Sequence, residues 1–184
     1  FTDLRRCKKC ILPETMPFID FDEEGVCSHC RTYRKLEARG IDALEEAVAK
    51  YRRGATGPDC LVGLSGGRDS TYGLHFIKNV LGMKPIAYTY DWGMVTDLAR
   101  RNISRVCGKL GVEHILVSAD IAKKRRFIKM NVESWLKKPD LGMIPLFMAG
   151  DKQYFHYANK LKKQVGVSVV FLCENMLERT DFKS

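Results

Sequence analysis

The run Leu61-Val62-Gly63-Leu64 passes without a break into Ser65-Gly66-Gly67-Arg68-Asp69-Ser70 and then into a stretch with helical periodicity. A short apolar run that gives way to glycines and then to a helix is a strand–loop–helix unit, the building block of a parallel sheet. The rhythm continues downstream. Strands are predicted at Cys60–Leu64, Pro85–Tyr90, His114–Val117 and Val167–Cys173, and helices at Ser70–Leu81, Thr96–Leu110, Ile121–Lys137 and Asp151–Val165. Gly82, Gly111 and Gly166 each fall where a helix would end in a left-handed residue. The fold class is therefore α/β: a parallel, Rossmann-like sheet with helices on both faces, which binds ligands at the carboxyl ends of its strands.

The loop itself has a chemistry. Gly66 and Gly67 allow a tight turn and let backbone N–H groups come close to a ligand, while Ser65, Ser70 and the N-terminus of the next helix add donors. This makes an anion cradle. A carboxylate inside it, Asp69, makes sense where a divalent cation bridges it to phosphate oxygens.

Ahead of the sheet, Cys7 and Cys10 stand in CKKC and Cys27 and Cys30 in CSHC, sixteen residues apart. Two such knuckles match the ribbon type of tetrahedral zinc site, each supplying two thiolates from a tight turn. Four thiolates complete the site, so His29 is expected to be a loop residue. Residues 1–33 hold too few apolar groups for a core and would need the metal as a staple. A connecting segment, 34–58, follows: Ile41, Leu44, Val48 and Tyr51 keep helical spacing until Gly54-Ala55-Thr56-Gly57-Pro58 breaks it. The nucleotide-binding domain is assigned to 59–184, with part of the natural protein expected beyond its last strand.

Of the 184 residues, 45% are hydrophobic and 29% charged, the makeup of a chain that builds a real core. No apolar run reaches the roughly 18 residues of a membrane span, and FTDLRRCKKC is no signal peptide, so the reading is of a cytoplasmic protein. The net charge of +9 is uneven: residues 99–138 carry eleven basic side chains against three acidic ones. Such a stretch serves phosphorylated substrates, nucleic acid or an acidic partner, or is simply a solvated helix face. Cys60, Cys107 and Cys173 sit in apolar contexts and are expected to be buried, inert thiols; His75 and His114 are expected to be packed or surface residues, and His156 stays open.

The segment SGGRDS resembles the pyrophosphate loop, SGGxDS, of the ATP pyrophosphatase superfamily, whose sheet is of the adenine nucleotide alpha-hydrolase type. The resemblance implies cleavage of ATP between its α and β phosphates. It assigns ATP binding to Ser65, Gly66, Gly67, Arg68, Asp69 and Ser70, magnesium to Asp69, and adenine recognition to the backbone around Tyr88, Thr89 and Tyr90. A likeness over nearly the whole chain runs through CKKCILPETMPFIDFDEEGVCSHC, SGGRDSTY, TYDW, ARRNISRVCGKLGVEHI and LCEN. These segments are similar to the N-acetyl sugar amidotransferases of surface polysaccharide (lipopolysaccharide) biosynthesis. Around Leu141–Gly150, LGMIPLFMAG, the chain departs from the cysteine-bearing segment of many such enzymes.

The amidotransferase resemblance implies an enzyme that adenylates the acetamido oxygen of a sugar, carried on a nucleotide, and replaces it with ammonia to leave an acetamidino group. Its cofactors would be ATP, Mg2+ and Zn2+. Ammonia would come from a separate glutaminase, since no glutaminase signature is present in the chain. Glu174, after the last strand in FLCEN, would reach the ligand edge and orient ammonia or the amide, or else cap a surface turn. Two other readings compete. A transfer RNA sulfur-transfer enzyme also joins a zinc ribbon to a pyrophosphate loop, and nucleic acid is a partner under that reading alone. The third is an adaptor with an inactive nucleotide domain.

Overall fold

The computed structural model describes residues 3–35, 37–140, 144–148 and 151–174. Four strands, β1 (Cys60–Gly63), β2 (Pro85–Asp91), β3 (His114–Ser118) and β4 (Val169–Phe171), form one sheet in the order β3-β2-β1-β4. Every pairing is parallel, with Leu61 opposite Ile86 and Val170, and Tyr88 opposite Ile115. All four residues of β1 and all seven of β2 are buried, as expected of central strands covered on both faces. The edge strands β3 and β4 are only partly covered. The expected α/β architecture is the observed one.

Seven helices accompany the sheet among the described residues: α1 (Ser28–Thr32), α2 (Gly40–Ala49), α3 (Arg68–His75), α4 (Asp97–Leu110), α5 (Ile121–Lys137), α6 (Pro145–Met148) and α7 (Asp151–Val165). Leu74 of α3, Ile103 and Cys107 of α4, and Val48 of α2 pack against Val62 and Ala87 on one face. Ala158 and Leu161 of α7 cover Leu61, Tyr88 and Tyr90 on the other. The predicted helix over 70–81 starts two residues earlier and widens at Phe76–Val80 into a π-helical turn, closed by Leu81 N–H on Phe76 C=O at 2.9 Å. In α2, Val48 enters the core with Leu44 and Tyr51 against it, but Ile41 is 44% exposed, so the apolar stripe is one residue shorter than its spacing suggests.

Local signals explain the ends. The Thr96 hydroxyl caps α4 by accepting from Ala99 N–H at 3.2 Å, and Asp120 caps α5 through Lys123 N–H at 3.0 Å. Gly82, Gly111 and Gly166 all have the positive φ predicted for them. At the end of the sheet away from the glycine loop, buried Asp59 accepts Arg53 N–H at 2.5 Å and Lys84 N–H at 2.8 Å, locking the entrances of β1 and β2. Asn175 of the LCEN run, the tail of the 59–184 assignment, and positions 141–143 and 149–150 of the Leu141–Gly150 segment lie outside the described residues.

The chain leaves β1 for β2 and β3 on one side and returns to β4 on the other. The direction of winding thus reverses between β1 and β4, the place where open parallel sheets leave a crevice at their carboxyl ends.

Candidate functional site

Leu64 and Ser65 leave β1, and the chain turns at Gly66 with φ +80 into α3. A Cβ on Gly66 would stand 2.5 Å from the Ala99 carbonyl oxygen, so glycine is required there both by conformation and by the close approach of α4. Asn102 of α4 donates to Gly66 C=O at 3.2 Å and fixes the turn from outside. Inside it, Ser70 Oγ accepts Ser65 N–H at 3.1 Å and lies 3.0 Å from Ser65 Oγ. Gly67 caps α3 with extended backbone and no side chain, which leaves the first-turn N–H groups of α3 directed out of the helix end. An N-terminus of this kind attracts an anion.

Three cavities meet at the loop. The first, about 430 Å³, lies over the carboxyl ends of β1 and β2 and is lined by Ser65, Thr89, Tyr90, Trp92, Lys124 and Tyr154, among others. The second, about 590 Å³, runs from Gly66 and Gly67 down between α3 and α4. The third, about 710 Å³, is a crevice between α3 and the chain at and beyond the end of β4, and brings Arg68, Asp69, Cys173 and Glu174 together. Asp69 and Glu174, one from the loop helix and one from beyond β4, thus face the same space. Ser70 is buried under the loop, where its hydroxyl shapes the turn.

Thr89 and Tyr90 line the first cavity, but Tyr88 does not. Its side chain is fully buried against α7, its hydroxyl donates to Tyr154 C=O at 3.1 Å, and its carbonyl accepts Leu64 N–H at 2.8 Å. Tyr88 and Tyr90 share the face covered by α7, and Tyr88, two residues further from the carboxyl end of β2, lies deeper in that core. Tyr154 of α7 stacks near Tyr88, with ring centroids 5.2 Å apart, and its hydroxyl fills the space that a Cβ on Gly63 would need. Burial, with Cys173 and Glu174 nearby, pushes the Tyr154 phenol up to about 12, so it stays a neutral donor.

Two further contacts were not foreseen from the sequence. Lys124, 3% exposed, places its ammonium 5.4 Å from the Trp92 ring centre at the first cavity. In sequence it is one of four consecutive cations, Lys123 to Arg126, and nothing in the run distinguishes the one that turns inward. Asp91 pairs with Arg100 at 2.6 Å and accepts Gly93 N–H at 2.9 Å, tying the Trp92–Gly93 turn to α4. Beside it, Thr89 Oγ1 donates to Leu64 C=O at 2.5 Å and therefore accepts from His114 Nε2 at 2.8 Å. Burial lowers the His114 pKa, consistent with a neutral ring. His114 is thus packed, as expected, but through a polar bridge to the root of the loop. Cys60 and Cys107 are buried as expected, whereas Cys173 is only partly buried, packed against the core at the edge of the third cavity, with its Sγ in the space of a Cβ on Gly73.

In the ribbon, the Sγ atoms of Cys7, Cys10, Cys27 and Cys30 all lie within 4.8 Å of one another. Cys7 and Cys30 sulfurs are 3.9 Å apart and those of Cys10 and Cys27 3.6 Å. Tetrahedral zinc with bonds of about 2.3 Å sets its sulfurs about 3.8 Å apart, so the four fit the metal closely. Burial raises the Cys7 pKa, but N–H groups of Cys10, Cys27 and Lys9 around its sulfur outweigh this and bring it to about 6. The neighbouring Cys10 thiol and burial hold Cys30 up to about 12. Crowded thiols of this kind are what a divalent cation deprotonates. His29 is not part of the cluster; its Nε2 is buried with no hydrogen-bond partner among the described residues.

The sequence matches no protein-family profile and no curated protein. Solved structures do match. The NH3-dependent NAD synthetase of Campylobacter jejuni, in complex with nitrate, superposes with a TM-score of 0.51 at 16% identity over 74% of this chain and 54% of its own. NMN synthetase from Francisella tularensis gives 0.50 at 17% over 74% and 54%. Glutamine-dependent NAD+ synthetase from Acinetobacter baumannii, in complex with ADP, gives 0.56 at 15% over 87% and 30%. The chain thus has the fold of these synthetases and spans about half their length or less. No helix among the described residues is long and apolar enough to cross a membrane.

Proposed function

We propose that this chain is an AMP-forming, ATP-dependent amidotransferase of the ATP pyrophosphatase superfamily, acting on the N-acetyl group of a nucleotide-linked sugar in surface polysaccharide biosynthesis. The observation that carries the reading is the cradle at Ser65–Asp69, set on a fold shared with an NH3-dependent synthetase and flanked by a cavity with Tyr90, Trp92 and Tyr154 in its walls and by a crevice that holds Asp69 and Glu174. The resemblance of the segments from CKKC to LCEN supports the sugar as acceptor.

An amide oxygen is a poor leaving group. In the proposed reaction it attacks the α-phosphorus of ATP, the bond to the β-phosphate breaks, and pyrophosphate departs from the cradle. Ammonia then adds to the activated carbon, and AMP leaves with the former amide oxygen. The first cavity holds the nucleotide, with Trp92 and Tyr90 as ring partners and Thr89 and Ser65 as polar contacts. Lys124 supplies positive charge there in a poorly solvated place, where it acts more strongly than on the surface. The hard oxygens of Asp69, with Glu174 in the same crevice, suit magnesium, which would neutralise phosphate charge. Trp92 and Tyr154 keep water from the adenylate, and Glu174 receives ammonia, delivered in the cell by a partner glutaminase.

For the sulfur-transfer alternative, the basic face of α4 is the favourable feature. Against it, Cys173 is the one thiol lining the crevice among the described residues, while a relay that releases sulfur by disulfide formation needs two. The test is product analysis. Ammonium, ATP, magnesium and an acetamido sugar nucleotide should give a product lighter by the difference between O and NH; ATP-dependent sulfur incorporation into transfer RNA would replace this reading with the rival.

A further inference from the structure

The groove between α3 and α4 shares Gly66, Gly67 and Arg68 with the cradle, but below them its walls have no part in the reading above. Its head is the Gly66–Gly67 backbone, its walls carry Arg68, Arg105 and Lys109, and no acidic side chain lines it. Among the described residues these three cations form no salt bridge. On α4, Arg101, Arg105 and Lys109 stand at successive i, i+4 positions, all exposed. Like charges so spaced destabilise a helix, so the row is a cost that an anionic ligand would remove. Tyr72, 66% exposed, presents its ring to the same groove, with Val106 and Leu110 beside it. An aromatic face next to a row of cations matches a ring joined to phosphates. The volume, about 590 Å³, is that of a small-molecule site, typically roughly 300–1,000 Å³.

We propose that this groove is a nucleoside-diphosphate site, separate from the ATP cavity, which holds the carrier of the acceptor. Arg105 and Lys109 take the phosphates and Tyr72 the nucleoside rings. A ligand laid along α3 in this way ends at Gly66–Gly67 and Arg68, and so delivers whatever its diphosphate carries to the rim of the loop. Only the role as acceptor carrier rests on the amidotransferase reading; the binding site stands on its own chemistry.

The experiment is a calorimetric titration of the full chain with UDP while α,β-methylene-ATP saturates the ATP cavity. UDP should still bind. The double variant R105A/K109A should weaken UDP at least about tenfold, as expected for loss of charge-assisted phosphate contacts, and leave the ATP analogue within about twofold. Tyr72→Ala should weaken UDP but not methylenediphosphonate, which has no ring to stack. Circular dichroism of these surface variants confirms that they are folded. If UDP fails to bind beside the analogue, the site is overturned. Equal weakening of UDP and the analogue also overturns it, by assigning the cations to the phosphates of ATP itself. Loss of RNA-hairpin binding in R105A/K109A with UDP unaffected overturns it in favour of a nucleic-acid face. Failure of the analogue to bind the unaltered protein counts against the ATP reading alone, and the UDP titration then decides the groove in its absence.

Discussion

A methyl group at position 63 would need the space of the Tyr154 hydroxyl, so this glycine couples β1 to α7 directly under the first cavity. Gly63→Ala should destabilise the fold by about 1–3 kcal/mol, the usual cost of overpacking a filled site. Tyr154→Phe in the same chain removes the clashing oxygen and should recover part of that loss, read by denaturant titration; no recovery would mean that the strain lies elsewhere. At Asp69 the expected effect is on chemistry: Asp69→Asn should lower turnover far more than ATP affinity, because its carboxylate faces the crevice and no part of the loop's own hydrogen bonding depends on it. His114 gives a pH prediction. Its folded pKa lies below its unfolded one, so the unfolded chain takes up the proton first, and stability should fall as pH drops through about 6.5 and show no contribution from this group above it. His114→Gln retains a donor for Thr89 and should flatten the difference in stability between about pH 7 and pH 5 relative to the unaltered protein. An unchanged slope would remove His114 from the account.

Among the elements, the ribbon is predicted to depend on a metal held by its four cysteines, and the sheet is not. Purified protein should contain one zinc per chain, and the double variant Cys7→Ser/Cys27→Ser should lose it, because those two buried sulfurs come from different knuckles. Retention of zinc in the double variant, measured by elemental analysis, would dismiss the site. The elements were legible in sequence to the degree that their signals are local. β1 and β2 read as strands because both faces are covered and their residues are mostly apolar, aromatic or β-branched, and the helix ends at Gly82, Gly111 and Gly166 read correctly because a positive φ selects glycine. The cysteine cluster was legible for the same reason. The inward turn of Lys124 was not, since burial of one cation among four is decided by where α5 meets the sheet. Nor was the burial of the Tyr88 side chain away from the cavity, which depends on how α7 covers the sheet, or the meeting of Asp69 with Glu174, which depends on β4 returning beside β1.

For the whole molecule, topology ties these parts together. The return of β4 beside β1 brings Glu174 to the crevice along α3, α4 holds the loop from one side through Ala99 and Asn102, and α7 closes the other through Tyr154. The loop therefore stands where three spaces meet, which the proposals above assign to a nucleotide, to a magnesium ion beside Asp69 and Glu174, and to a second phosphate-bearing ligand. Such an arrangement suits the joining of two substrates across a held phosphate chain. The measurement that tests this most directly is phosphorus NMR of ATP turnover by the full chain with magnesium, ammonium and an acetamido sugar nucleotide. The account predicts AMP and pyrophosphate in equal amounts, dependent on acceptor and lost in Asp69→Asn; release of ADP and orthophosphate would contradict it.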